Sequence, residues 1–200
     1  MQLNTAGDWI RLAAKTLFEP KKCLRIILDI VITMPQLLQA TVLAIVLSMI
    51  MPLITLMFQP TEVQDALNGF TSKPLSVFIV QLSVLLGSAF LIAKIGNFFN
   101  GHGTFKECLT AMVWLQIVMI LVQLIQFFSG LISPQLSALI FLISVGIMLY
   151  LIVHFISELH GFTSIMSVLF GVIASIFGLS FIVSILLAML GFTPEVIQNV

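Results

Sequence analysis

The sequence predicts an all-α protein of the membrane: a polytopic bundle of five transmembrane helices preceded by an N-terminal amphipathic interfacial helix. Three observations carry this expectation. Hydrophobic residues fill 60% of the 200 positions and charged residues only 8%, whereas a soluble domain is about 25% charged. The mean hydropathy is +1.21. The apolar residues also fall into runs longer than the ~20 residues a helix needs to cross a hydrocarbon core. Eight basic and eight acidic residues cannot cover the surface of a water-soluble globule of this size. Disorder requires low hydrophobicity and high net charge, and a formal net charge of zero removes the electrostatic basis of nucleic-acid binding. The lipid bilayer is therefore the first partner the composition implies.

Residues 1–33 form a segment of their own. Asp8, Arg11, Lys15, Glu19 and Lys22 recur at three- or four-residue spacing, with Trp9, Ile10, Leu12, Ala13, Thr16 and Leu17 between them. That pattern is an amphipathic helix with an interfacial tryptophan. Pro20 opens a second helix, on which Arg25 and Asp29 are spaced to pair. These helices are expected to lie along the inner leaflet before Pro35 turns the chain into the bilayer, as a floating anchor or, alternatively, as a segment that docks lipid or a partner.

Residues 34–190 hold the five runs: Gln36–Phe58, Leu75–Phe99, Cys108–Phe128, Pro134–Ile156 and Thr163–Leu190. They are apolar all round and so read as helices; a spanning barrel strand would alternate. Their boundaries have local chemistry. Pro74 starts the second run at a position where its missing N–H costs nothing. Thr104 to Glu107 has capping-box spacing ahead of the third. Ser133-Pro134 opens the fourth, Gly161 closes it, and Thr163 is placed to cap the fifth. Gly171 with Ser175, and Ala174 with Gly178, are small pairs that would let a neighbouring helix approach. Residues 191–200 are a short tail after the stop at Gly191.

The cations set the orientation. Arg11, Lys15, Lys21, Lys22, Arg25, Lys94 and Lys106 fall on one side of a five-span topology and Lys73 on the other. The positive-inside rule puts the N-terminus in the cytoplasm and the C-terminus outside, with Glu62, Asp65 and Glu195 facing outward. No cleavable signal sequence is evident, so the first span is expected to act as the insertion signal. Cys23 and Cys108 both fall on the reducing side, where a disulfide is not expected.

Catalytic motifs are not found: there is no Walker loop, GxGxxG, HExxH, GxSxG or CxxC, and no cofactor is implied. Among the glutamines in or beside the spans are Gln36, Gln39, Gln81, Gln116, Gln123 and Gln126. Gln81, Gln116 and Gln123 are the polar intramembrane candidates. They can join helices by hydrogen bonds at under ~2 kcal/mol each, or line a polar path. A cluster of His102, His154, Glu158 and His160 is the one metal candidate, since imidazole and carboxylate suit zinc. Its spacing matches no metal motif, and His154 with Glu158 reads better as a hydrogen-bonded surface pair.

Two stretches echo one another. GHGTFKECLTAM precedes the third run and LHGFTSIMSVL the fifth, with LFEPKKCLRII a fainter relative. Together with Trp9 and the Leu17-Phe18-Glu19-Pro20 turn, these stretches resemble the bacterial branch of the Yip family, membrane proteins named for binding Ypt/Rab GTPases. The resemblance spans roughly Leu17 to Leu190. It implies five helices, a cytoplasmic N-terminus and no enzymatic activity. Eukaryotic members carry a DLYGP-type motif and a long cytosolic N-terminal region, both missing here. Rab binding and vesicle traffic are therefore not carried over, and no functional residue of the family maps onto this chain.

The expected function is that of a non-enzymatic scaffold or adaptor in a bacterial inner membrane, partnered by copies of itself or by another membrane protein. The alternatives are a small permease or channel with a glutamine-lined path, and a metal-binding membrane protein.

Overall fold

In the computed structural model the described residues are 5–58, 61, 64, 74–175 and 177. Six helices make up the first compact unit: α1 (Ala6–Thr16), α2 (Pro20–Leu28), α3 (Met34–Met57), α4 (Pro74–Phe98), α5 (Phe105–Ile132) and α6 (Pro134–His160). A second unit begins at Thr163, and its described helix is α7 (Ile165–Ser175).

Four helices, α3 to α6, are long and apolar enough to cross a membrane. They correspond to the first four predicted runs, with α5 and α6 extended by a turn at their ends. The fifth predicted run coincides with α7 as far as Ser175; its remainder and the tail at 191–200 lie outside the described residues. So do Glu62, Asp65, Lys73, Gly178 and Glu195.

The helix boundaries follow their local chemistry. Thr33 precedes Pro35, and its backbone N–H and hydroxyl both donate to Gln36 Oε1 at 2.8 Å, so Gln36 serves as a cap rather than an intramembrane amide. Pro74 opens α4. At α5, Thr104 and Glu107 exchange bonds in a reciprocal capping box. Ser133 accepts from the Leu136 N–H to start α6. Gly161, at φ 71°, ends α6 in the left-handed conformation that glycine adopts without strain. The Phe162 N–H reaches back to the Ser157 carbonyl at 2.9 Å, and the Ser157 hydroxyl donates to the Phe162 carbonyl at 2.7 Å. The cap of α7 is Ser164, whose hydroxyl accepts from the Ser167 N–H. The sequence pointed one residue earlier, to Thr163; the capping bond is made by Ser164.

Helix α5 is the axis of the first unit. It packs most heavily on α6, then α3 and α4, and also touches α1 and α2. Residues Cys108 to Leu115 are all buried, so every face of these two turns is covered. A helix covered on all sides gains no hydrophobic drive from lipid; its position rests on van der Waals packing and a few hydrogen bonds. Gln81 supplies one such bond elsewhere in the bundle by donating to the Ser48 hydroxyl at 3.1 Å, joining α4 to α3. Pro52 lies inside α3, where its ring nitrogen withholds the N–H that would pair with the Ser48 carbonyl.

Candidate functional site

Among the described residues the charged groups gather at one end of the bundle, where α4 ends, α5 begins and α6 ends. Helices α1 and α2 are folded onto this end. Leu12, Ala13, Thr16, Cys23, Leu24 and Ile27 are buried, on helices that pack against α5 and α6. Burial of a leucine or isoleucine side chain contributes about 1.5–3 kcal/mol, so this face alone holds the pair against the bundle. A floating anchor is therefore not what forms: the inward face of the amphipathic pair is covered by protein.

Polar contacts fix how it is docked. The Thr16 hydroxyl donates to the Leu12 carbonyl at 2.8 Å and accepts from Trp114 Nε1 at 3.1 Å. Trp114 is buried, and its ring lies 6.1 Å from that of Trp9. The indole N–H would otherwise be stranded without an acceptor, at a cost of about 1–3 kcal/mol. On α2, Lys21 Nζ donates to the Ser157 hydroxyl at 2.8 Å. Arg25 Nε pairs with Glu158. The hydrogen bond to Glu158, reinforced by its charge, holds the Arg25 guanidinium even more firmly protonated than usual. Arg25 thus reaches across to α6 instead of pairing with Asp29, and Glu158 serves that contact instead of His154. Glu19 pairs with Lys22 at 3.0 Å; the hydrogen bond from Lys22, helped by the charge of Lys15, lowers its carboxyl below the ordinary value. Cys23 is fully buried, and that burial raises its thiol despite the nearby Thr16 hydroxyl and the charge of Lys15.

The second feature is a socket for His160. Its ring is 2% exposed and is enclosed by glycines from two elements. A Cβ added at Gly96 would stand 1.9 Å from Nε2; one at Gly101 would stand 2.5 Å from Cδ2, and one at Gly103 2.9 Å from Cε1. The ring stacks on Phe162 at 5.4 Å. Nδ1 lies 3.2 Å from the Ile156 carbonyl and donates to it, which leaves Nε2 as a buried acceptor with no partner among the described residues. The two His-Gly stretches thus meet in space but differ in role: His160 fills a cavity in the backbone, whereas His102, between two of the glycines that form it, is exposed.

The four metal candidates are dispersed. His160 is in its socket, His102 faces outward, Glu158 holds Arg25, and His154 Nδ1 contacts the Tyr150 carbonyl at 2.7 Å. Among the described residues no three His, Cys, Asp or Glu side chains stand where they could share an ion. The intramembrane glutamines also diverge. Gln81 is engaged with Ser48, whereas Gln123 Oε1 is buried without a donor among the described residues. The socket and the Arg25 contact could not be read from sequence, because no spacing links residues on helices so far apart; the glycines at 96, 101 and 103 were the one available hint.

Compared with known proteins, the chain matches the Yip1 domain over residues 14–192. No curated protein and no solved structure matches it.

Proposed function

The chain belongs to the Yip1 domain family, and from that premise we propose that it is a non-enzymatic scaffold or adaptor of a bacterial inner membrane. In this reading it crosses the bilayer five times, with its N-terminus in the cytoplasm and its C-terminus outside. Four long apolar helices support the membrane setting. The capped, apolar start of α7 and the apolar sequence that continues to Leu190 support a fifth crossing. Seven of the eight Lys and Arg residues belong to the end that holds α1 and α2, and such a bias faces the cytoplasm.

The observation that carries the scaffold reading is the docked α1–α2 pair. Thr16, Lys21 and Arg25 tie it to Trp114, Ser157 and Glu158, which turns an N-terminal segment into a fixed platform. A platform of this kind serves partner binding without any chemistry of its own. The test is cross-linking in native membranes followed by native mass measurement in mild detergent. The expected result is a discrete assembly, either of several copies or with one defined membrane protein. A protein that is solitary under both conditions would overturn the reading.

Gln123 supports a second reading, a permease with a polar path, because a buried amide oxygen without a donor suits a passing water or solute. Proteoliposome flux abolished by Gln116→Leu with Gln123→Leu would favour it; flux that survives both would exclude that path.

A further inference from the structure

We infer that the outward face of the α1–α2 pair is a docking surface for the anionic phospholipid headgroups of the bilayer that holds the bundle. The inward face is already committed to α5 and α6, so the apolar residues on the other side need a separate account. Ile10 is 57% exposed, Phe18 83% and Val31 97%. Arg11, Lys15, Lys22 and Arg25 of the pair are exposed as well, and Val31 lies in the link to α3. Phe18 sits at the elbow between the two helices, with Lys15 before it and Lys22 after it. Large apolar side chains interleaved with cations suit the boundary between acyl chains and headgroups.

The chain's own connectivity says which surface this is. Helix α2 ends at Leu28 and α3, a spanning helix, begins at Met34. The five residues between them reach at most ~17 Å fully extended. The pair is thereby tethered at the level of the headgroups, and a lipid surface is within reach of every copy. Charge complementarity then selects the lipid. The pair carries five cations against three carboxylates, Asp8, Glu19 and Asp29. Arg25 meets Glu158 through Nε, so the N–H groups on its terminal nitrogens are suited to a phosphate acceptor. The Lys22–Glu19 pair is exposed, and an exposed ion pair yields readily to a competing anion.

The experiment uses the full chain with Phe18→Trp in a Trp9→Phe background, reconstituted in vesicles of phosphatidylcholine alone or mixed with phosphatidylglycerol. Trp9→Phe alone supplies the constant signal of buried Trp114. The expected result is a blue-shifted emission from the introduced indole, with at least twofold stronger quenching by acyl-brominated lipid in the anionic vesicles. High salt, or Lys15→Gln with Lys22→Gln, should return both signals to the phosphatidylcholine level. Emission and quenching that are the same in both lipids and indifferent to salt would overturn the inference. A water-exposed signal in both would do so as well and would turn attention to a protein partner for this face. Neither outcome bears on whether the protein assembles, so the scaffold reading is tested separately.

Discussion

Replacing Gly96 by alanine tests the His160 socket directly. Gly96 lies on α4, where glycine to alanine would ordinarily stabilise a helix by about 1 kcal/mol. Here the new Cβ would stand 1.9 Å from Nε2 and 2.1 Å from Cδ2 of His160. Reaching ordinary contact near 3.4 Å requires the ring to retreat by ~1.5 Å, and the ring already lies against the backbone at Gly101 and Gly103. Overpacking of this kind costs about 1–3 kcal/mol. The propensity gain of about 1 kcal/mol offsets part of that, which leaves a net loss of up to about 2 kcal/mol. For a chain of this length that corresponds to a fall of up to about 8 °C in Tm. Gly87 is the internal control: it is on the same helix, and a Cβ there meets nothing within 4 Å. Gly87→Ala should leave Tm unchanged or raise it by about 2–4 °C. The assay is thermal unfolding in detergent followed by a thiol-reactive dye, for which Cys23 and Cys108 are natural reporters because both are buried and free. Gly96→Ala combined with His160→Ala should lose less than the sum of the single changes, since the group that clashes is gone. If Gly96→Ala melted like Gly87→Ala, or if the two losses added, the socket as described would be wrong.

Other outcomes follow from the docked pair. Thr16→Val should destabilise the protein by about 1–3 kcal/mol by leaving the Trp114 indole N–H without its acceptor, and a Trp114→Phe background should remove most of that cost; equal losses in both backgrounds would deny the bond. Arg25→Glu should weaken docking of α2 and the exchange Arg25→Glu with Glu158→Arg should restore it, a small effect because the Arg25 side chain is largely exposed; limited proteolysis at residues 29–33 reads the change, and failure of the exchange to rescue would assign Arg25 another role. Glu19 has a lowered carboxyl pKa in the folded protein, so its pairing contributes above the unfolded-state value and is lost as pH falls through the lower folded value. A Glu19→Gln variant should accordingly match the wild type in acid and be less stable at neutral pH, and an equal difference at both would refute that linkage. Cys23, buried and with its thiol shifted upward, should resist maleimide in the native protein at neutral pH and react after denaturation.

What the sequence determined by itself was local. Pro74, the Thr104–Glu107 box, Ser133-Pro134 and Gly161 mark helix boundaries because caps and turns act over three or four residues. Apolar runs of spanning length fix the number and placement of the crossing helices in the described region, because an unsatisfied backbone is too costly in hydrocarbon to allow anything but a helix. The amphipathic α1 was visible because its polar and apolar sides differ. Which faces meet was decided only in three dimensions. Helices α3 to α6 are apolar on every side, so their sequences do not say which side faces lipid and which faces protein. The contacts that shape the basic end join residues far apart in the chain: Thr16 and Trp114 are 98 positions apart, and Arg25 and Glu158 are 133. Spacing therefore paired Arg25 with Asp29 and His154 with Glu158, whereas packing gave Glu158 to Arg25. It likewise placed His160 among glycines on another helix and turn, where only missing side chains leave room for its ring.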